Sequence, residues 1–76
     1  MPKLPQVSAR EMLRVLYELN FRIVTQKGSH IKLIRLVGGL KERVIIPNHK
    51  LIRKGTLRNI LRKLNLLVDD FIKLLK

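Results

Sequence analysis

Apolar residues recur at two different spacings along the chain, and the change in spacing predicts the order of its elements. After Ser8 the spacing is helical, with one apolar face made of Met12, Leu13, Leu16 and Leu19. Ser8 and Glu11 stand three residues apart in the pattern of a capping box, so a helix is expected to begin there. Asn20 is expected to end it, because asparagine tolerates the left-handed backbone of a helix terminus.

Three runs rich in β-branched residues follow and predict three antiparallel strands. They cover residues 21–26, 30–36 and 41–46. The residues between the first two runs, 27–29, form a turn, and the run Val37-Gly38-Gly39 connects the next two because paired glycines supply the positive φ of a tight hairpin. Pro47 closes the third strand, since it has no N–H to donate to a sheet.

The rest of the chain has helical spacing again. One apolar face contains Leu57, Ile60, Leu61 and Leu64, and a short last helix repeats the pattern with Val68, Phe71, Ile72 and Leu75. The predicted order is one helix, three strands, then one or two helices. The predicted fold class is therefore α+β, a two-layer sandwich with the helices on one face of an antiparallel sheet.

The amino-acid composition indicates a class of binding partner. The chain has 76 residues, which is enough for a single domain spanning 1–76, and 46% of them are apolar. Lys and Arg number 17 against 5 Asp and Glu, a formal net charge of +12. An excess this large predicts a polyanionic partner, such as nucleic acid, an anionic membrane surface or an acidic protein. Aromatic residues make up 4%, so contact with a phosphate backbone is favoured over base stacking.

Several classes of protein are disfavoured by what the chain contains. Residues 1–8 lack the apolar stretch of a signal peptide, and no apolar run reaches membrane-spanning length, so a cytoplasmic protein is expected. Without cysteine, and with two histidines and scattered carboxylates, neither a metal site nor a cofactor is expected. Membrane binding is also disfavoured, because no helix combines strong basicity with large apolar anchors.

The basic segment 50–63 is the first candidate site. It has no acidic residue and contains Lys50, Arg53, Lys54, Arg58, Arg62 and Lys63. Gly55 and Thr56 open the predicted helix, whose free N–H groups next to Lys54 suit an anion. Arg58 extends this surface along the face opposite the leucines. The alternative is a solvated helix face without a ligand.

His30 is the second candidate, because it stands on a basic turn in a strongly cationic chain. RNA carries its own nucleophile, the 2′-hydroxyl, so a ribonuclease without metal needs a base, positive charge around the phosphate and an acid. Imidazole suits the role of base near neutral pH. Lys27, the Gly28 and Ser29 amides and the Ser29 hydroxyl can face a phosphate. The alternative is a turn histidine that makes a local hydrogen bond.

His49, in the loop after Pro47, is the other histidine. It is a candidate auxiliary acid for the same reaction. The competing interpretation, favoured by its position after Pro47-Asn48, is a plain turn residue.

Three segments in order resemble the HicA toxin family, also called YcfA-like. They are Val24–His30, Ile46–Lys50 and Lys54–Leu61, and the resemblance extends over nearly the whole chain. It implies a fold like the double-stranded RNA-binding domain and the activity of an mRNA interferase, a ribonuclease that cuts mRNA and arrests growth. It also implies a HicB-like antitoxin partner that covers the active site. The family's catalytic histidine, in its Gly-Ser-His motif, falls on His30.

Two departures from the family pattern concern helix ends. Asn20 and Asn65 stand where the family usually has glycine, and asparagine is the next-best residue there. Leu67 stands where the last helix usually opens with Ser or Thr, which predicts a poorly capped or shifted helix.

Three functions are consistent with these observations. The first is a metal-independent endoribonuclease toxin with His30 as general base. The second is a non-catalytic double-stranded RNA-binding module, in which binding depends steeply on salt and His30 is incidental. The third is an interaction protein whose basic face engages an acidic antitoxin.

Overall fold

The computed structural model describes residues 3–76; residues 1–2 of the expected 1–76 domain lie outside the described part. Its elements are α1 (Ala9–Glu18), β1 (Arg22–Lys27), β2 (His30–Val37), β3 (Leu40–Pro47), α2 (Lys54–Lys63) and α3 (Val68–Leu75). The α+β order predicted from the sequence is confirmed. Within residues 3–76, every helix is too short or too polar to span a lipid bilayer.

Helix α1 begins and ends where the sequence predicts. The Glu11 N–H donates to Ser8 Oγ at 3.1 Å, and the Ser8 N–H donates to Glu11 Oε1 at 3.0 Å. These reciprocal bonds complete the capping box and satisfy two amides that a helix start leaves free. After the helix, Asn20 adopts a φ of 73° and turns the chain towards β1.

The three strands form one antiparallel sheet in the order β1-β2-β3, so β2 lies in the middle. Both hairpins have two-residue turns, Gly28-Ser29 and Gly38-Gly39. All three glycines have positive φ, between 56° and 80°. Glycine adopts this region readily because it has no Cβ atom to clash with the backbone. In β1 the register shifts between Ile23 and Thr25, which marks a β-bulge.

One face of the sheet packs on the helices and the other is open. Ile31 and Leu33 of β2 and Val44 and Ile46 of β3 are buried, and the alternating residues between them are not. Helical residues contribute much of the remaining core, including Met12, Leu16, Leu57, Leu61 and Phe71. By contrast, all six residues of β1 are exposed, so this strand is held mainly by its pairing with β2.

Arg35 ties the sheet to the end of α1. Its Nε donates to Glu42 Oε1 at 2.9 Å across the β2–β3 pair, and its Nη1 donates to the Leu19 carbonyl at 2.9 Å. The guanidinium also lies 4.6 Å from the centre of the Phe21 ring. One side chain therefore connects two strands, the last turn of α1 and the segment that leads into β1.

The predicted weakness at the start of α3 is present. Leu67 occupies the N-cap position with extended backbone, and its side chain has no oxygen to accept a helix amide. Asp69 and Asp70 lie in the first turn, where their negative charges interact favourably with the positive end of the helix dipole. The helix is held mainly by Phe71, which is fully buried.

Replacing Leu67 with serine is expected to stabilise the protein by about 1 kcal/mol, because serine supplies the missing acceptor. The leucine is 71% exposed, so little packing is lost. For a domain of this size the gain corresponds to a rise in melting temperature of about 4–8 °C. Thermal unfolding should show it, with Leu67→Ala as the matched control that removes leucine without adding a cap; equal melting temperatures for the two variants would contradict the explanation.

Candidate active site on the open face of the sheet

His30 is the first residue of the central strand, and it is exposed. Its cross-strand neighbours are Lys27 on β1 and Pro47 on β3. Directly opposite residues of an antiparallel pair project to the same face, so Lys27 and His30 share the open face. The positive φ of Gly28 lets the chain reverse within two residues and sets this register.

A cleft of about 310 Å³ surrounds the histidine. It is lined by Thr25, Lys27, His30, Lys32 and Ile45. Lys32 follows His30 by two residues on β2 and pairs with Thr25 on one side and Ile45 on the other. The cleft is therefore formed by two adjacent rows of residues across the sheet.

Thr25, Lys32 and Ile45 were not among the residues selected from the sequence. Lys32 could have been selected from the two-residue period of a strand, which places it on the same face as His30. Thr25 and Ile45 required the register of both hairpins, and the bulge in β1 shifts that register by one residue. A bulge cannot be located from a run of β-branched residues alone.

The turn at Gly28-Ser29 is held in place by the loop that follows β3. The Asn48 N–H donates to the Ser29 carbonyl at 2.6 Å, and the Ala9 N–H donates to the His49 carbonyl at 2.9 Å. The loop thus connects the turn before His30 to the first residue of α1. The Ser29 residue is itself exposed beside the cleft.

The structure places the two histidines in separate clefts. His49 lines a cleft of about 450 Å³ together with Ser8, Ala9, Arg10, Asn48 and Lys50. Asn48, which lines this cleft, also donates its N–H to the carbonyl of Ser29, the residue before His30. His49 as an auxiliary acid therefore stays a prediction, and its cleft does not contain His30.

The basic helix packs on the other face of the sheet, along the edge strand β3. Helix α2 begins at Lys54, one residue before the predicted opening at Gly55, and its N-cap is Arg53, whose side chain has no acceptor for the first helix amides. Thr56 lines a cleft of about 240 Å³ that also contains Ile45. Because Ile45 belongs to both clefts, the start of α2 and the His30 cleft adjoin across the edge strand β3.

Lys54 and Arg58 are exposed on this helix, as the sequence predicts. The apolar face of α2 is also confirmed, with Leu57, Ile60 and Leu61 buried.

Positive charge dominates the open face. Of the five described residues that line the His30 cleft, none is acidic. The ion pairs found within residues 3–76 are Arg14–Glu18 and Arg35–Glu42, and both lie outside this cleft. In the same described part of the chain, no three histidine or carboxylate side chains lie close enough together to hold a metal ion.

This arrangement can bind a phosphate and move a proton. His30 offers an exposed imidazole as acceptor, and Lys27 and Lys32 offer ammonium donors in the same cleft. Cations around a phosphate stabilise the extra negative charge of a pentacovalent transition state. The cleft thus combines a proton acceptor with cationic groups that suit an anionic ligand.

Fold and cleft together define a small basic α+β protein with a histidine site on the open face of its sheet. A family model described as HicA toxin of bacterial toxin-antitoxin matches residues 9–66, and the chain belongs to this family. Its role is accordingly that of a toxin in a toxin–antitoxin system, with an antitoxin as partner. Comparison with curated proteins and with solved structures gave no match.

Proposed function

We propose that this toxin is a metal-independent endoribonuclease that cleaves mRNA, with His30 as general base. The observation that supports it best is the cleft itself, in which one exposed imidazole and two lysines meet without an acidic neighbour among the described lining residues. A carboxylate there would repel the substrate phosphate. Membership of the HicA family supports the same function.

In the proposed reaction the RNA backbone lies across the end of the sheet. His30 accepts the proton of the 2′-hydroxyl, and the 2′-oxygen attacks the adjacent phosphorus. Lys27, directly opposite His30, and the backbone amides of Gly28 and Ser29 hold the non-bridging oxygens. The product carries a 2′,3′-cyclic phosphate or its hydrolysed form.

The rest of the RNA follows the basic helix. Thr56 adjoins the cleft through Ile45, and Lys54 and Arg58 continue the positive surface along α2. A cytoplasmic HicB-like antitoxin that covers the cleft would block this path.

Purified protein is expected to cleave a long single-stranded RNA in the presence of EDTA. A substrate with a single 2′-deoxynucleotide at the cleaved position should resist cutting there, because the nucleophile is missing. Cleavage products are resolved by gel, and their termini are identified by mass spectrometry. A His30→Ala preparation controls for contaminating ribonucleases.

Persistent cutting at the 2′-deoxy position would overturn the mechanism. No cleavage, with RNA binding retained and steeply dependent on salt, would instead support the non-catalytic RNA-binding function.

A further inference from the structure

We propose that Lys32 is a second catalytic residue, the acid that protonates the departing 5′-oxygen. This inference rests on the proposed ribonuclease function and adds to it the group that completes the proton transfer. The sequence also suggests His49 for that role, but His49 does not line the cleft that contains both His30 and Lys32.

The position of Lys32 suits a partner for His30. The two residues are separated by one residue on β2, so their Cα atoms are about 6–7 Å apart on one face of the sheet. In an in-line displacement the attacking and leaving oxygens lie on opposite sides of phosphorus, so base and acid must approach from two sides. Neighbouring rows of the sheet supply this separation, and the four-carbon stem of lysine supplies the reach.

The surroundings of Lys32 distinguish it from Lys27. Lys32 is half-buried between Thr25 and Ile45, its partners on the flanking strands. Lys27 ends β1 beside the turn, is exposed, and faces His30 directly. Packing along its stem restricts where the Lys32 ammonium can lie, which a proton donor requires. Lys27 is therefore assigned to phosphate binding and Lys32 to the leaving group.

The step balances as follows. The 2′-O–H proton passes to His30 as the bond from the 2′-oxygen to phosphorus forms. The bond from phosphorus to the 5′-oxygen breaks, and its electron pair takes a proton from the Lys32 ammonium. The products are a 2′,3′-cyclic phosphate and a 5′-hydroxyl, with His30 protonated and Lys32 neutral until water exchanges their protons.

A sulfur-substituted RNA tests the assignment. In a 5′-phosphorothiolate the leaving atom is sulfur, which departs as a stable thiolate and needs no acid. Lys32→Ala is expected to slow single-turnover cleavage of ordinary RNA by about 10²- to 10⁴-fold. On the sulfur substrate the same variant should cleave within a few-fold of the unmodified protein. His30→Ala should stay slow on both substrates, because the base is still required.

Two further variants separate proton donation from charge. Lys32→Arg keeps the positive charge, but a guanidinium does not release its proton in proteins, so it should behave like Lys32→Ala on both substrates. Lys41→Ala is the matched control. Lys41 pairs with Leu36, six residues along β2 from His30, so this variant should cleave RNA normally. Circular dichroism of each variant confirms that the fold is kept.

The outcomes are distinguishable. Slow cleavage of both substrates by Lys32→Ala would restrict Lys32 to phosphate binding and overturn the proposal. Unchanged cleavage of ordinary RNA by the same variant would also overturn it. Sulfur rescue of His49→Ala in place of Lys32→Ala would assign the acid to His49. If the unmodified protein cuts neither substrate, the ribonuclease function itself fails, and the acid assignment falls with it.

Discussion

Cleavage of RNA is expected to fall by about 10²- to 10⁴-fold when His30 is replaced by alanine, the range that a positioned general base contributes. The affinity for RNA should change little, because an imidazole that acts as base is neutral, whereas most binding energy comes from the cations. The fold should also persist, since His30 is exposed and contributes its backbone to the sheet.

Rate and affinity are measured separately to test this. Single-turnover cleavage at saturating protein gives the rate, and fluorescence anisotropy with an RNA that carries a 2′-deoxynucleotide at the cleaved position gives the affinity. Leu36→Ala is the matched control, an exposed residue on the same face of β2, six residues from His30. Loss of affinity without loss of rate at saturation would make His30 a binding residue and contradict its role as base.

The largest expected effect on stability comes from Arg35→Ala, which should lower the free energy of unfolding by about 2–3 kcal/mol. Arg35 makes charge-assisted bonds to Glu42 and to the Leu19 carbonyl, and each such bond contributes about 1.5–3 kcal/mol when it is well shielded. The side chains of Arg35 and Glu42 are 20% and 40% exposed, so solvent screening reduces the expected loss below the sum of two fully shielded bonds. A domain of this length typically has a free energy of unfolding of about 4–11 kcal/mol.

Urea denaturation measures this loss, and Arg43→Ala is its control. Arg43 is exposed and alternates with Glu42 on β3, so its side chain faces the other side of the sheet, and the expected change is within about 0.5 kcal/mol. A double-mutant cycle with Glu42→Gln isolates the ion pair from the bond to α1. Equal losses for Arg35→Ala and Arg43→Ala would show that the network does not stabilise the fold.

Local signals in the sequence were sufficient for the elements and their ends. Ser8 with Glu11 located the start of α1, and Asn20 and Asn65 both adopt the positive φ expected of them. Strand β1 is shifted by one residue from the prediction because Phe21 packs in the core before it begins, and β2 and β3 extend beyond their predicted ends by one residue at Val37, Leu40 and Pro47. These features depend on a few neighbouring residues, so a single sequence carries them.

Features that depend on register were not predictable in the same way. The Arg35–Glu42 pair requires the β2–β3 alignment and the position of the last turn of α1. The position of Lys32 between Thr25 and Ile45 requires the alignment of all three strands. The geometry of the loop after Pro47, which positions His49, is set by hydrogen bonds to residues far along the chain.

Strand β1 has a further consequence for the proposed active site. It is exposed along its whole length and has a neighbouring strand on one side, yet it carries Thr25 and Lys27, one wall of the cleft. Segments with few buried contacts open at a lower free energy than the global unfolding reaction, so this strand should separate from β2 more often than β2 separates from β3. The strand that carries Thr25 and Lys27 is then expected to be the least protected part of the sheet against hydrogen exchange. An RNA or antitoxin that contacts both β1 and the neighbouring strands would suppress this local opening. Binding of either partner would therefore be coupled to the ordering of the site.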